Sequence, residues 1–142
     1  MNVIIQEDWF SLKQCAANPR SLYIFGDNTI RVGTGGQAII RPAPNSYGIA
    51  TKRLPTNAPD AFFSDSQEDF KFIMADIAYL MLKIAMLKIA EETDYDTIVL
   101  PADGLGTGLS KMPEKSPVLC KWLHNSLSTI LGVDYHKTDD AS

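Results

Sequence analysis

An α/β fold is predicted by three features of the 142-residue sequence. Four short β-branched or aromatic runs, at residues 3–5, 22–25, 48–51 and 97–100, read as strands. Three segments of helical character, at 8–18, 70–90 and 113–131, lie between or after them. Seven of the nine glycines fall in two clusters, Gly26, Gly33, Gly35 and Gly36, then Gly104, Gly106 and Gly108, and each cluster follows a predicted strand.

The first helical segment connects the first two strands. Residues 41–65 contain Pro42, Pro44, Pro55 and Pro59, so this region reads as loop, interrupted by the strand at 48–51. The apolar region at 70–90 is a helix and not a membrane span, because Lys71, Asp76, Lys83 and Lys88 interrupt it. Phe70, Ile73, Met74, Ile77, Leu80, Met81, Ile84 and Leu87 follow three- and four-residue steps and predict one apolar stripe. Ser66 with Asp69 three residues later reads as a capped start. The five residues 81–85 recur at 86–90, but two copies make no solenoid, and the helix simply continues through them. Its Met-rich surface suits either a sheet or a second copy of the chain. The last helix is expected over 113–131, with Pro113 at its start and Gly132 just past its end. A short strand near 133–137 and a frayed tail at 138–142 complete the reading, which makes 1–137 one domain.

Composition narrows the function. Thirteen basic against 17 acidic residues leave a net charge of −4, which disfavours a non-specific duplex-DNA binder. Hydrophobic residues at 45% and charged residues at 21% are globular values, and a chain of this length buries roughly 70% of its unfolded surface without staples. Cys15 and Cys120 lie far apart, outside any CxxC pattern, so reduced, buried thiols are expected and no metal site or cofactor is called for. The N-terminus lacks a basic segment before an apolar core, so a cytoplasmic location is the default expectation.

Glycine-rich turns at the carboxyl ends of strands let backbone N–H groups approach an anion closely. Two such loops can clamp a diphosphate from both sides, whereas either one alone is as well explained as a tight turn. Neither loop fits a Walker A or a GxGxxG pattern.

The order of these motifs resembles the macrodomains, which bind ADP-ribose. The likeness begins at Leu22-Tyr23-Ile24-Phe25-Gly26-Asp27-Asn28 and continues through Gly33-Thr34-Gly35-Gly36-Gln37-Ala38. Next, Gly48-Ile49-Ala50-Thr51-Lys52-Arg53 looks like the segment of macrodomains that remove ADP-ribose from nucleic-acid bases. The likeness closes at Ile98-Val99-Leu100-Pro101, Gly106-Thr107-Gly108-Leu109 and Met112-Pro113-Glu114, and covers about residues 20–131. Ala102 and Asp103 are additional residues before the second loop, and the Pro-rich stretch 41–45 stands where the family continues a helix. The chain is also similar to small phage proteins, which adds no chemistry.

The resemblance implies a three-layer α/β/α fold with a central mixed sheet and an ADP-ribose-like ligand, free or carried on nucleic acid or protein, without a metal. Asn28 would offer its amide to the distal ribose hydroxyls. Gly33, Gly35 and Gly36 would flank one side of the diphosphate, and Gly106, Thr107, Gly108 and Leu109 the other. Gln37 and Thr51, inside the matching segments, join this ligand-binding set. Lys52 would attack or activate the ribose C1″ carbon, with Arg53 beside it to depress its pKa. As ordinary chemistry Lys52 and Arg53 read equally well as solvated loop charges or a phosphate-steering pair. Asp27 and Asp103, at strand ends, are candidate general acid/base groups, while Asp27 is as well read as the cap of the next turn. Tyr47 reads as a base platform or, more commonly, as sheet packing. His124 and His136 lack partners at ligand spacing and read as structural. Three functions remain open on this reading: an ADP-ribosyl hydrolase, a non-catalytic nucleotide sponge or reader, and a ligand-free interaction protein.

Overall fold

The computed structural model describes residues 1–89 and 94–135, the side chains of 87–89 excepted. The four predicted strands form, each slightly longer than its apolar run: β1 (Asn2–Gln6), β2 (Ser21–Asn28), β3 (Ser46–Lys52) and β4 (Thr97–Pro101). They make one sheet in the order β1-β4-β2-β3, and every pairing is parallel. The expectation of a mixed sheet is therefore corrected for the described residues. Each of the three connections between successive strands is a crossover that brings the chain back to start the next strand in the same direction, which is what parallel pairing requires.

Alternate residues of the central strands face opposite cores, as strand geometry dictates. Leu22, Ile24, Ile98 and Leu100 pack with α2 (Gln67–Ile89) and α4 (Pro117–Leu131) on one face. Tyr23, Phe25 and Val99 pack with Phe10, Cys15, Ala38 and Ile40 on the other. That second face is covered by α1 (Leu12–Ala17) and a 3-10 helix at Gly36–Ile40. Both cysteines are free and buried.

Several boundaries moved for local reasons. Helix α1 begins at Leu12 because Ser11 caps it, its Oγ accepting from the Gln14 N–H at 3.1 Å. Residues 8–10 are thereby left as a non-helical connection from β1. The expected single helix over 113–131 is two, α3 (Met112–Lys115) and α4, separated by Ser116 at φ −147°. Pro117 explains the break, since the residue before a proline is pushed out of the helical region. The start of α4 is capped from elsewhere: Asp65 accepts from the N–H groups of Val118 and Leu119. Gly132 ends α4 at φ +68°, as expected. Beyond it, residues 133–135 form no strand, and the remainder of the expected strand and tail lies outside the described residues.

The apolar stripe of α2 is narrower than its sequence period suggests. Ile73, Ile77, Leu80 and Ile84 are buried on the sheet, whereas Met74 and Met81 are about half exposed, together with Leu82 and Met86. Leu87 lies outside the described side chains. Ser66 does cap α2, accepting from the Asp69 N–H at 3.2 Å. The Asp69 carboxylate does not complete the capping box and turns to Arg53, Ser64 and the Ser64 backbone instead. Burial raises its pKa, but these hydrogen bonds outweigh burial and hold it below the ordinary 3.8. No helix among the described residues is long and apolar enough to cross a membrane.

Candidate functional site

Four loops leave the carboxyl ends of the strands at one edge of the sheet. Those after β2 and β4, which are neighbours, lead to opposite faces, one into the 3-10 helix and the other toward α3 and α4. Such a divergence opens a crevice between adjacent strands, the usual position of a ligand in an open parallel sheet.

The crevice has two lobes. One, of about 560 Å³, is lined by Trp9, Gln37, Gly35, Gly36 and residues 103–110. The other, of about 340 Å³, is lined by Asp27, Asn28, Gly33, Arg41, Lys52 and their neighbours. Gly26, Gly35, Leu109 and Ser110 line both, so the lobes adjoin, with Leu109 standing at the division. A Cβ on Gly35 would meet Leu109 Cδ1 at 3.3 Å, which measures how closely the two glycine loops approach.

The second loop is held rigidly from below. The Leu105 N–H donates to His124 Nε2 at 3.0 Å, and His124 Nδ1 lies 2.7 Å from the Cys120 carbonyl. Nε2 is thus an acceptor and Nδ1 carries the proton, an assignment made from the hydrogen-bond pattern. His124, read from sequence only as structural, is the post on which the loop rests. The Thr107 hydroxyl donates to the carbonyl of Asp103, Gly106 O accepts from Met112 N–H, and Gly108 O accepts from Lys111 N–H. The carbonyls of Asp103, Gly104, Gly106 and Gly108 are in this way engaged internally. Its N–H groups at Gly106, Thr107, Gly108, Leu109 and Ser110 find no acceptor among the described residues. The same asymmetry marks the first loop, where Gly33 O accepts from Arg41 Nε and Gly35 O from Ala38 N–H, but the N–H groups of Gly33, Thr34, Gly35 and Gly36 have no acceptor among the described residues. Runs of unengaged backbone donors of this kind are suited to an anion. Replacing His124 with leucine is expected to strand the buried Leu105 N–H and lower stability by roughly 1–3 kcal/mol, read as a lower urea midpoint. An unchanged midpoint would refute the supporting role.

A bulge at the carboxyl end of β3 sets the other side chains. Asp27 pairs with Ala50 and Asn28 with Lys52, so Thr51 is the extra residue. Thr51, expected to contact ligand, is fully buried; its Oγ1 lies 3.1 Å from the Asp27 carbonyl and 2.7 Å from Ser110 Oγ. It therefore ties the second loop to the sheet. Asn28 is also engaged, donating from Nδ2 to the Val32 carbonyl at 2.7 Å, although it lines the smaller lobe. Gln37 accepts the Phe10 N–H through Oε1 at 2.9 Å and faces the larger lobe.

Asp27 is held in a salt-bridge cluster. Arg41 Nη1 and Nη2 donate to its two oxygens at 2.9 and 2.6 Å, and Arg31 Nη1 approaches at 3.4 Å. The Asn28 N–H occupies Oδ1 as well, at 2.8 Å. With both oxygens engaged by Arg41, Arg31 and the Asn28 N–H, this carboxylate is placed as an anchor between two guanidiniums, whereas a free general acid or base was expected at this strand end. Arg41 and Arg31 were not legible as site residues, because their partners lie 14 and four residues away across a loop and nothing local marks them. Asp103 is exposed at the larger lobe. Tyr47 packs on α2, its hydroxyl donating to the Asp76 carbonyl and its ring stacked 6.0 Å from Tyr79.

Lys52 is only 7% exposed, and its Nζ donates to the Thr56 carbonyl at 2.7 Å and sits 4.7 Å from the Phe62 ring centre. Burial lowers its pKa from the ordinary 10.5, and the nearby Lys111 ammonium adds to the effect. Arg53 is not the helper cation: it turns away to pair with Asp69 at 2.5 Å. Lys111 and Lys115 approach the same Phe62 ring at 5.8 and 5.5 Å, which brings three lysines to one aromatic side chain. His136 lies outside the described residues, and no cluster of metal-ligating side chains occurs among the described ones.

The fold and this crevice define a parallel α/β protein with a glycine-lined cleft at the carboxyl edge of its sheet. The chain belongs to the family described as "Family of unknown function (DUF7831)", whose model matches residues 5–126 and so spans the whole crevice. No match was found among curated proteins or among solved structures.

Proposed function

We propose that the protein binds ADP-ribose or an ADP-ribose-like nucleotide in this crevice, with the diphosphate between the two glycine loops. One observation carries the reading: loops distant in sequence meet in one cleft, each with glycine carbonyls engaged and a run of N–H groups that find no acceptor among the described residues. Because the donors are backbone groups, a chain of net charge −4 can take an anion. The resemblance to macrodomains supplies the identity of the nucleotide.

Hydrolysis of an ADP-ribosyl linkage on nucleic acid or protein is an extension of this reading, supported by Lys52 at the smaller lobe. An amine with a lowered pKa is the form of lysine suited to attack on an anomeric carbon. The engagement of Asp27 by Arg41 and Arg31 favours the second reading, a sponge or reader that binds without turnover.

Calorimetric titration with ADP-ribose, against AMP and NAD, tests the reading. Micromolar affinity or better is expected for the wild type and none for Gly35→Glu, a position at φ −73° where a side chain fits the backbone but meets Leu109. Absence of heat with every nucleotide would reduce the glycine loops to turns and leave a ligand-free role. If the protein turns over, Lys52→Ala should lose activity while keeping affinity, and steady product formation would remove the sponge reading. The rate should then rise with pH through an apparent pKa below 10.5, as the ammonium gives up its proton. Lys111→Gln removes the neighbouring charge, so the rising limb should move to higher pH; an unmoved limb would dissociate Lys52 from the titrating step.

A further inference from the structure

The largest exposed side chain at the crevice belongs to neither glycine loop. Trp9 is 68% exposed and lines the larger lobe beside Gly36, where a Cβ would lie 4.0 Å from Trp9 Cζ3. An indole in water needs a reason, since tryptophan contributes most when its faces are covered. The backbone that carries it is pinned on both sides. Gln6 Nε2 donates to the Asp8 carbonyl at 2.9 Å, and Gln6 is itself held in a mutual amide pair with Gln14. On the other side the Phe10 N–H donates to Gln37 Oε1, and the Phe10 ring is buried edge-on against Tyr23 at 5.3 Å. A side chain left in solvent on a fixed main chain, at the mouth of a concave lobe, is arranged as a preformed stacking surface.

We propose that Trp9 is the platform for an aromatic base, and that it sets the direction of the ligand. The base lies against the indole in the larger lobe, the phosphates lie between the loops at Gly35 and Leu109, and the end remote from the base reaches the smaller lobe with Lys52. This inference rests on the nucleotide reading above and adds its specificity: the site selects ligands that carry a planar base, and discriminates against a sugar phosphate or a pyrophosphate alone.

The chain has a second tryptophan, Trp122, which packs edge-on against Phe70 at 4.6 Å away from the crevice, so Trp122→Phe leaves Trp9 as the sole indole reporter. In that background, ADP-ribose and AMP should quench the emission of Trp9, whereas ribose 5-phosphate and pyrophosphate should leave it unchanged. In the wild-type background, Trp9→Ala should weaken ADP-ribose by roughly five- to a hundred-fold, the usual worth of one stacked base, and Trp9→Phe should recover much of the loss. Affinity for pyrophosphate should be the same in all three. ADP-ribose binding equal in wild type and Trp9→Ala, or binding without quenching, would overturn the platform while leaving the nucleotide site intact. Failure of ADP-ribose and AMP to bind the wild type at all would overturn both readings together.

Discussion

Gly106→Ala is expected to lower stability by about 2–4 kcal/mol and to abolish nucleotide binding, because two independent penalties coincide at this residue. Its φ of +75° is a left-handed conformation that costs a side-chain-bearing residue about 1–2 kcal/mol. Its Cβ would also overlap the Met112 thioether, coming within 2.8 Å of Cγ, and would press on Thr51 Cβ at 3.2 Å. Neither neighbour can retreat, since Met112 and Thr51 are fully buried and Thr51 bonds the Asp27 carbonyl. The second loop would have to lift from the sheet, and with it the N–H groups that face the crevice. Chemical denaturation measures the first effect and calorimetry the second. A double variant with Met112→Ala should be less unstable than the sum of the single changes, because the shortened side chain removes the overlap. A denaturation midpoint equal to wild type would show that the loop is not held as described.

Asp27→Ala is expected to cost a similar amount, for an electrostatic reason. The Asp27 side chain is 3% exposed and Arg41 is 21% exposed, so deletion leaves a largely desolvated guanidinium facing an empty site. Breaking a buried pair on one side costs about 3–5 kcal/mol, and the partial exposure of Arg41 places this case toward 2–4. The effect should reach the first glycine loop, because Arg41 Nε also donates to the Gly33 carbonyl at 2.8 Å. Asp27→Asn keeps shape but halves the acceptors and should fall between wild type and alanine. Gly48→Ala provides an independent check: its Cβ would lie on the Asp27 carboxylate, 2.9 Å from Asp27 Cβ, and should reproduce the Asp27→Ala phenotype without removing any charge. If Asp27→Ala were as stable as wild type yet inactive toward a substrate that wild type hydrolyses, the anchor would be wrong and the acid/base reading restored.

The strands were legible because each is a short β-branched or aromatic run, a signal local to four or five residues. The glycine loops were legible for a similar reason: their composition departs from the rest of the chain, and they directly follow those runs. The helix break at Ser116 was available in Pro117 but outweighed by the apolar period running through it. The α2 stripe was read too wide because Met74 and Met81 match the period as well as their buried neighbours do, and period alone does not say which part of an almost wholly apolar helix meets the sheet.

The charged residues were the least legible. Arg53 stands next to Lys52 in sequence, yet it lies just past the end of β3, where the chain bends, and it pairs with Asp69. The cation that acts on Lys52 is Lys111, 59 positions away and brought near by the turn into α3. Arg31 reaches Asp76 on α2 at 2.6 and 2.7 Å, a pair separated by 45 residues. Trp9 carries no motif, and only the capping of α1 by Ser11 leaves it in a non-helical segment at the mouth of the crevice.

The sequence by itself determined the α/β class, the four strands, the principal helices and the two glycine loops, all of which follow from short-range backbone preference and apolar periodicity. Tertiary structure alone decided that the sheet is wholly parallel, that the loops share one cleft, that Asp27 is engaged by Arg41 and Arg31, and that Trp9 stands free beside Gly36. Those outcomes depend on which crossovers stack on which face, and on the desolvation of charges by residues remote in the chain, so no local pattern can encode them.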